Sequence, residues 1–255
     1  MVHEEFSAMR IIHPNICHSY HMWNKEATVY MVMEFCGGGS LTNLIYEGMH
    51  AINDTGSNPL SAVSVLRYVM QNLLSALIAC ERRRLVHADF KPGNILLSDQ
   101  CAFRTREEDM REDNIFVTSD GSPIVLKLTD FGFSRAKLHS TGSVLIMRGT
   151  YGYRAPEVIE GKKADMKADV YSLGITLYEI AMLHLPWENP SDEVSIIKQL
   201  RRDGNVTVDE IGFPGETEQH RVIRGLMNRM LENDPKRRPS ASELQTAMRD
   251  AGLWT

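Results

Sequence analysis

The chain has 255 residues, 43% of them apolar and 24% charged, with a formal net charge of −5. That length suits one large domain or two small lobes burying roughly three quarters of the unfolded surface, and the charge balance gives no basic footprint for nucleic acid. The four cysteines, Cys17, Cys36, Cys80 and Cys101, stand far apart with no C-x-x-C pairing, which argues against a zinc site or disulfide framework and fits a reducing, cytoplasmic setting.

Residues 3–5 are charged, which is unlike a secretory signal. Glu4 to Ile12 reads as the end of a helix, and His13-Pro14-Asn15-Ile16 breaks it, because proline excludes helical geometry from the residue before it. Cys17, His18 and His21 have the chemistry of metal ligands, but the edge of a β-strand is the plainer expectation. Val29 to Cys36 predicts a strand, ended by Gly37-Gly38-Gly39. Those glycines suggest a flexible turn rather than a phosphate loop, because no G-x-G-x-x-G follows a strand there. Asn53 to Pro59 is polar and predicts a loop. From about Leu60 to Arg82, the residues Val63, Leu66, Met70, Leu73, Leu77 and Cys80 recur at three- and four-residue steps, as a helix with one buried face requires. Arg82-Arg83-Arg84, the longest basic run, is then its solvated end.

His87-Ala88-Asp89-Phe90-Lys91-Pro92-Gly93-Asn94 follows, a Pro/Gly-containing loop between apolar runs. Polar side chains held on a loop by flanking strands are where catalytic groups tend to lie. Here a carboxylate can accept a hydroxyl proton, an ammonium can neutralise a phosphate, and an amide oxygen can ligate a hard cation. The segment from Ser98 to about Ser122 is highly charged between Arg104 and Asp113 and has no apolar period, which predicts an exposed, mobile insertion. Within it, Asn114-Ile115-Phe116-Val117 imitates Asn94-Ile95-Leu96-Leu97, but only Asn94 stands five residues after the loop carboxylate. Val125 to Thr129 alternates like a strand and delivers Asp130-Phe131-Gly132, a carboxylate at a strand end beside a residue that lets the backbone turn, suited to Mg²⁺. Gly149 to Glu157 (GTYGYRAPE), Asp169 to Gly174 (DVYSLG) and Asp234 to Ser240 (DPKRRPS) complete the set of distinctive segments. The most apolar run, Gly174 to Trp187, is interrupted by Glu179 and His184 and is too short to span a bilayer, so no membrane partner is expected.

In this order the segments resemble the protein kinases, whose catalytic loop reads H-R-D-x-K-x-x-N, followed by D-F-G and A-P-E. The resemblance covers nearly the whole chain and implies an α+β fold. It would comprise the remnant of a small β-rich N-lobe with hinge (1–36: the end of helix αC and the family's fourth and fifth strands) and a complete, mainly helical C-lobe (37–255). The αC glutamate would be Glu4 by family spacing or Glu5 by helical periodicity. Met33 would line the back of the adenine pocket, with the backbones of Glu34 and Cys36 offering hydrogen bonds to the base. Asp89 would be the base, Lys91 would steady the γ-phosphate of ATP, and Asn94 and Asp130 would hold Mg²⁺. Arg238 would pair with Glu157. Lys91, with Gly149-Thr150 ahead of A-P-E, resembles the serine/threonine branch, which implies protein hydroxyls as substrates.

Two departures stand out. Ala88 replaces the arginine that in many kinases pairs with a phosphorylated activation loop. Activity is therefore expected not to depend on phosphate at Ser140, Thr141 or Ser143, and an active full-length preparation should keep its rate after phosphatase treatment. The Gly-rich loop and its lysine strand have no counterpart in these 255 residues. The expectation is thus an N-terminally truncated kinase domain, with a non-catalytic kinase-like module that binds partners as the alternative. A small-molecule kinase of the same ancestry fits the A-P-E segment poorly.

Overall fold

Ser19–Lys25 (β1) and Thr28–Met33 (β2) pair antiparallel, from Ser19↔Met33 to Lys25↔Thr28, and Trp23 stacks on Tyr30 across the hairpin at 5.3 Å. The structure, a computed structural model, describes residues 11–26, 28–55, 58–100, 116–136, 144–145, 149–209 and 216–254. Up to residue 10, the helix end expected from Glu4 (with Glu4 and Glu5 themselves) lies outside the described residues, while Ile11 and Ile12 are described and are not helical; Cys101, Arg104 to Asp113, Asn114 and the segment holding Ser140, Thr141 and Ser143 also lie outside the described residues.

Below the hairpin, Leu41–Thr55 (α1) and Val63–Arg82 (α2) lead to the short strand Leu85–Val86 (β3). The expected apolar face of α2 is realised, since Val63, Leu66, Met70, Leu73, Leu77 and Cys80 are all buried. Two boundaries differ from expectation. α1 continues through Asn53–Thr55, where a loop is predicted. α2 starts at Val63 rather than Leu60 because Pro59–Ser61 forms a 3₁₀ turn. Asn58 imposes that turn, accepting from Leu60 N–H at 2.9 Å while its amide donates to Ile180 O and Ala181 O. Arg82, Arg83 and Arg84 are exposed at the helix end, as predicted.

Ile95–Leu97 (β4) and Leu126–Leu128 (β5) pair antiparallel, so the long segment between them leaves and returns at one place. Residues 15–17 run parallel to β5, with Cys17 N–H on Leu128 O and Leu128 N–H on Asn15 O. On the other edge, Gly38 N–H donates to Leu97 O and Leu97 N–H to Gly39 O. Gly37 and Gly38 form the predicted turn, and these bonds hold it against β4 rather than leaving it free. A Cβ at Gly38 would lie 2.0 Å from Asp99 O, which no side chain tolerates. Within the expected exposed insertion, Phe116 is buried and stacks on Tyr68, whose hydroxyl donates to Ile124 O at 2.7 Å, while Ser119 to Ser122 are exposed.

After β5 come Arg135–Ala136 (β6), paired with β3, then Val144–Leu145 (β7), Pro156–Ile159 (α3) and Lys163–Ala164 (β8), the last paired with β7. Lys167–Met182 (α4) is buried on nearly every side, as a helix apolar all round should be. Glu193–Asp203 (α5) packs against α3, Glu218–Met230 (α6) against α4, and Ala241–Asp250 (α7) against α2. Among the described residues, α2 is the helix long and apolar enough to cross a membrane, and it is mostly buried in the core, against α4, α7 and β5. The fold is α+β: a small sheet-containing part above a mainly helical one.

Candidate active site

β3 carries the chain into the loop that starts at His87. His87 is fully buried. Its ring nitrogen Nε2 lies 2.9 Å from Thr129 O, and its ring meets Phe131 edge-on at 4.8 Å. The backbone N–H groups of His87 and Ala88 donate to Asp169 Oδ2 and Oδ1, at 2.7 and 2.9 Å. Asp169 sits in the first turn of α4, so the most buried helix grips the loop through one carboxylate. Burial pushes the Asp169 carboxyl up, opposed by His87 and these two backbone donors. Ala88 adopts the left-handed conformation (φ +69°) that a β-carbon disfavours, and the Asp169 clamp on both peptide N–H groups is what holds it there.

That turn presents Asp89. Its Oδ1 accepts from Thr150 N–H at 2.7 Å and from the Thr150 hydroxyl at 2.8 Å. Its Oδ2 accepts from Asn94 Nδ2 at 2.9 Å and faces Lys91 Nζ at 3.0 Å. Lys91 also donates to the Thr150 hydroxyl. Burial, the largest single influence, pushes the Asp89 carboxyl up, but Thr150 and Lys91 together outweigh it and hold the group below the usual carboxylate range. It is thus ionised at neutral pH. Gly149 makes the approach of Thr150 possible, because it takes φ +110° and a Cβ there would lie 2.4 Å from Ala88 O. Arg154 braces the same segment, its Nε donating to Gly149 O at 3.0 Å while its guanidinium pairs with Glu193 and covers the Tyr151 ring.

Asn94 closes a 3₁₀ turn and enters β4, where pairing with β5 places it beside Thr129. Thr129 N–H donates to Asn94 O at 2.9 Å, so Asp130 follows one residue after that contact. Asp130 is exposed, takes φ +60°, and accepts from Gly132 N–H at 3.3 Å. Asn94 Nδ2 is occupied by Asp89 O and Oδ2, which turns its amide oxygen away from that contact. Among the described residues no donor reaches that oxygen, and no cation reaches Asp130. An amide oxygen and a carboxylate from adjoining loops are the hard donors that Mg²⁺ takes.

The hinge residues adjoin the same place. Met33 ends β2, and Glu34 N–H donates to His18 O at 2.8 Å. Lys127, on β5, pairs with Glu34 Oε1 at 2.7 Å. Cys17 leads into β1 and His21 lies within it. The Cys17 thiol contacts Glu34 O at 3.6 Å. Of the seven residues singled out from sequence, Asp89, Lys91 and Asn94 touch one another, Asp130 follows the residue bonded to Asn94, and Glu34 meets β5 through Lys127; Met33 and Cys36 are joined to this group along the chain, beside Glu34, and the Asp130 side chain does not touch Asp89 or Asn94.

Three contributors were not identified from sequence in these roles: Thr150 as a ligand of the Asp89 carboxylate, Asp169 as the anchor of the loop, and Lys127 as the partner of Glu34. The short segments containing Thr150 and Asp169 do stand out in the sequence; for Lys127 only its place on the strand before Asp130 gives any signal. The pairing of Arg238 with Glu157 is present, at 2.7 and 3.0 Å, with Arg238 fully buried.

A profile described as "Protein kinase domain" matches residues 1–248. The chain is 29% identical over 243 residues to serine/threonine-protein kinase atg1 of Aspergillus niger, a match covering 88% of this chain and 23% of that protein. It is 31% identical over 244 residues to ATG1 of Candida glabrata, covering 90% and 25%. It is 30% identical over 234 residues to the probable serine/threonine-protein kinase CCRP1 of Zea mays, covering 91% and 31%. The chain spans about a quarter of the length of these curated relatives.

Proposed function

Because this chain belongs to the protein kinase family, we propose that it supplies the catalytic floor for transfer of the ATP γ-phosphoryl group to serine or threonine hydroxyls of protein substrates. The observation that carries this reading is the single cluster in which Asp89, Lys91 and Asn94 touch one another while Asn94 holds the backbone next to Asp130.

Asp89 orients the substrate hydroxyl and accepts its proton. At rest its carboxylate accepts four hydrogen bonds, which fills the roughly four acceptor sites such a group has. A γ-phosphate entering beside Lys91 draws that ammonium off Asp89 and leaves one acceptor site for the hydroxyl. Asn94, through its amide oxygen, and Asp130 hold Mg²⁺. When bound, Mg²⁺ neutralises charge on the phosphate oxygens. Met33 and the backbones of Glu34 and Cys36 receive the adenine. Thr150, Arg154 and Lys91 brace the segment ahead of Glu157 without a cation at position 88, in keeping with independence from phosphate there. The serine/threonine preference is supported by the names of the relatives and by the Lys91–Thr150 contact.

Titration of the chain with ATP, with and without Mg²⁺, tests this reading. Binding should strengthen when Mg²⁺ is present, and Asp130→Asn should abolish that gain while leaving metal-free binding unchanged. Binding indifferent to both the metal and the substitution, or no binding at all, contradicts it.

A further inference from the structure

The stretch proposed to read adenine, Glu34 to Cys36, hangs between two anchors. Glu34 is the first. Its N–H donates to His18 O at 2.8 Å, its Oε2 accepts from His18 N–H at 3.0 Å, and its Oε1 faces Lys127 Nζ at 2.7 Å. Gly37 and Gly38 are the second, donating to Ser98 O and Leu97 O at 3.3 and 3.2 Å. Between them Phe35 is 89% exposed, and among the described residues no backbone–backbone hydrogen bond holds Phe35 or Cys36. The backbone groups of Cys36 are thus left open for a base, and their position depends on the anchors at either end.

Both anchors lead to one ribbon. Leu97 belongs to β4, and Lys127 stands on β5 opposite Leu96, three residues before Asp130. Lys127 Nζ also donates to Pro14 O at 3.0 Å, so a single ammonium joins the Pro14 turn, the hinge and the strand that leads to Asp130. We propose that Lys127 is a positioning residue for the nucleotide: by holding the Glu34 carboxylate, it sets the backbone that reads adenine in register with the carboxylate of Asp130 that holds the metal. This rests on the adenine reading of the hinge. The two side chains are only 12% and 25% exposed, where salt screens a pair less than it does in open solvent. Burial pushes the Glu34 carboxyl up, but Lys127 and the His18 N–H outweigh it and hold the group below the usual carboxylate range. The bond to Lys127 is therefore charge-assisted at neutral pH. The base of β1 is fixed separately, by Cys17 N–H on Leu128 O and Leu128 N–H on Asn15 O. Removing the ammonium should accordingly loosen the hinge and leave the rest of the fold in place.

The test is to measure, with Mg²⁺ present, the affinities of the chain for ATP and for tripolyphosphate, which keeps the phosphate chain and lacks the base. The wild-type chain should prefer ATP. Lys127→Met should lose roughly fivefold in affinity for ATP, the scale on which a partly exposed ion pair acts, and keep its affinity for tripolyphosphate. Lys127→Arg should restore ATP binding, and Glu34→Gln, which removes the charge from the other side, should repeat the selective loss. Wild-type ATP affinity in Lys127→Met or in Glu34→Gln, an equal loss for both ligands, or no rescue by arginine would overturn the proposal alone. A wild-type chain with no preference for ATP over tripolyphosphate would overturn the adenine reading of the hinge as well.

Discussion

Asp89→Asn is expected to lower phosphoryl transfer by about 10²–10⁴-fold, the usual contribution of a positioned base. An amide is nearly the same size as a carboxylate and can keep one of the contacts with Thr150 or Asn94. It cannot take up a proton at neutral pH, and its N–H₂ would face donors where an oxygen now accepts from Lys91 and Asn94. The loss should therefore appear in kcat, with the KM for ATP little changed, and circular dichroism should show an intact fold. A variant whose kcat stays within a few-fold of wild type would remove Asp89 from the chemistry, leaving it an anchor for Thr150.

Arg238→Ala is expected to destabilise the protein by about 3–5 kcal/mol, measured by urea unfolding. The size follows from burial, since the side chains of Arg238 and Glu157 are 0% and 5% exposed. Removing the guanidinium strands a carboxylate in the core and leaves Glu232 O and Lys167 O without the donors they now have. It also uncovers the Tyr171 ring, over which the guanidinium sits at 4.9 Å. Glu157→Ala should be harmful for the mirror reason, and the double variant should cost less than the sum of the two singles, because neither charge is then left alone. Additive effects would show that the pair is not coupled. Functionally the pair is a clasp: it ties the helix that follows Thr150 to the start of α4, and α4 in turn holds the loop of Asp89 through Asp169.

What could be read from sequence was local. Asp89, Lys91 and Asn94 lie within six residues, in a segment whose resemblance to the family's catalytic loop singles them out; the α2 core face follows from its period. The contacts that tune the site are not local. Thr150 reaches Asp89 across 61 residues and Asp169 reaches His87 across 82, and a single sequence carries no sign of which distant hydroxyl or carboxylate will arrive. Gly37-Gly38-Gly39 shows the same limit differently. Three glycines predict a turn, and only the carbonyl of Asp99 against Gly38 shows that the turn is packed rather than loose. Phe116 lies in a stretch whose charged neighbours hide its period, yet the ring of Tyr68 gives it a place in the core. At Asn53–Thr55, weak helix propensity is outweighed by the helix already running from Leu41.

Asn94 and Asp130 are proposed to hold Mg²⁺ together, beside Asp89 and Lys91. A crystal structure of the chain with Mg²⁺ and a non-hydrolysable ATP analogue tests it most directly. Mg²⁺ should be bound by the Asn94 amide oxygen and the Asp130 carboxylate, with Lys91 Nζ moved from Asp89 to the γ-phosphate. Mg²⁺ bound elsewhere, or Lys91 still seated on Asp89 beneath a bound nucleotide, would contradict it.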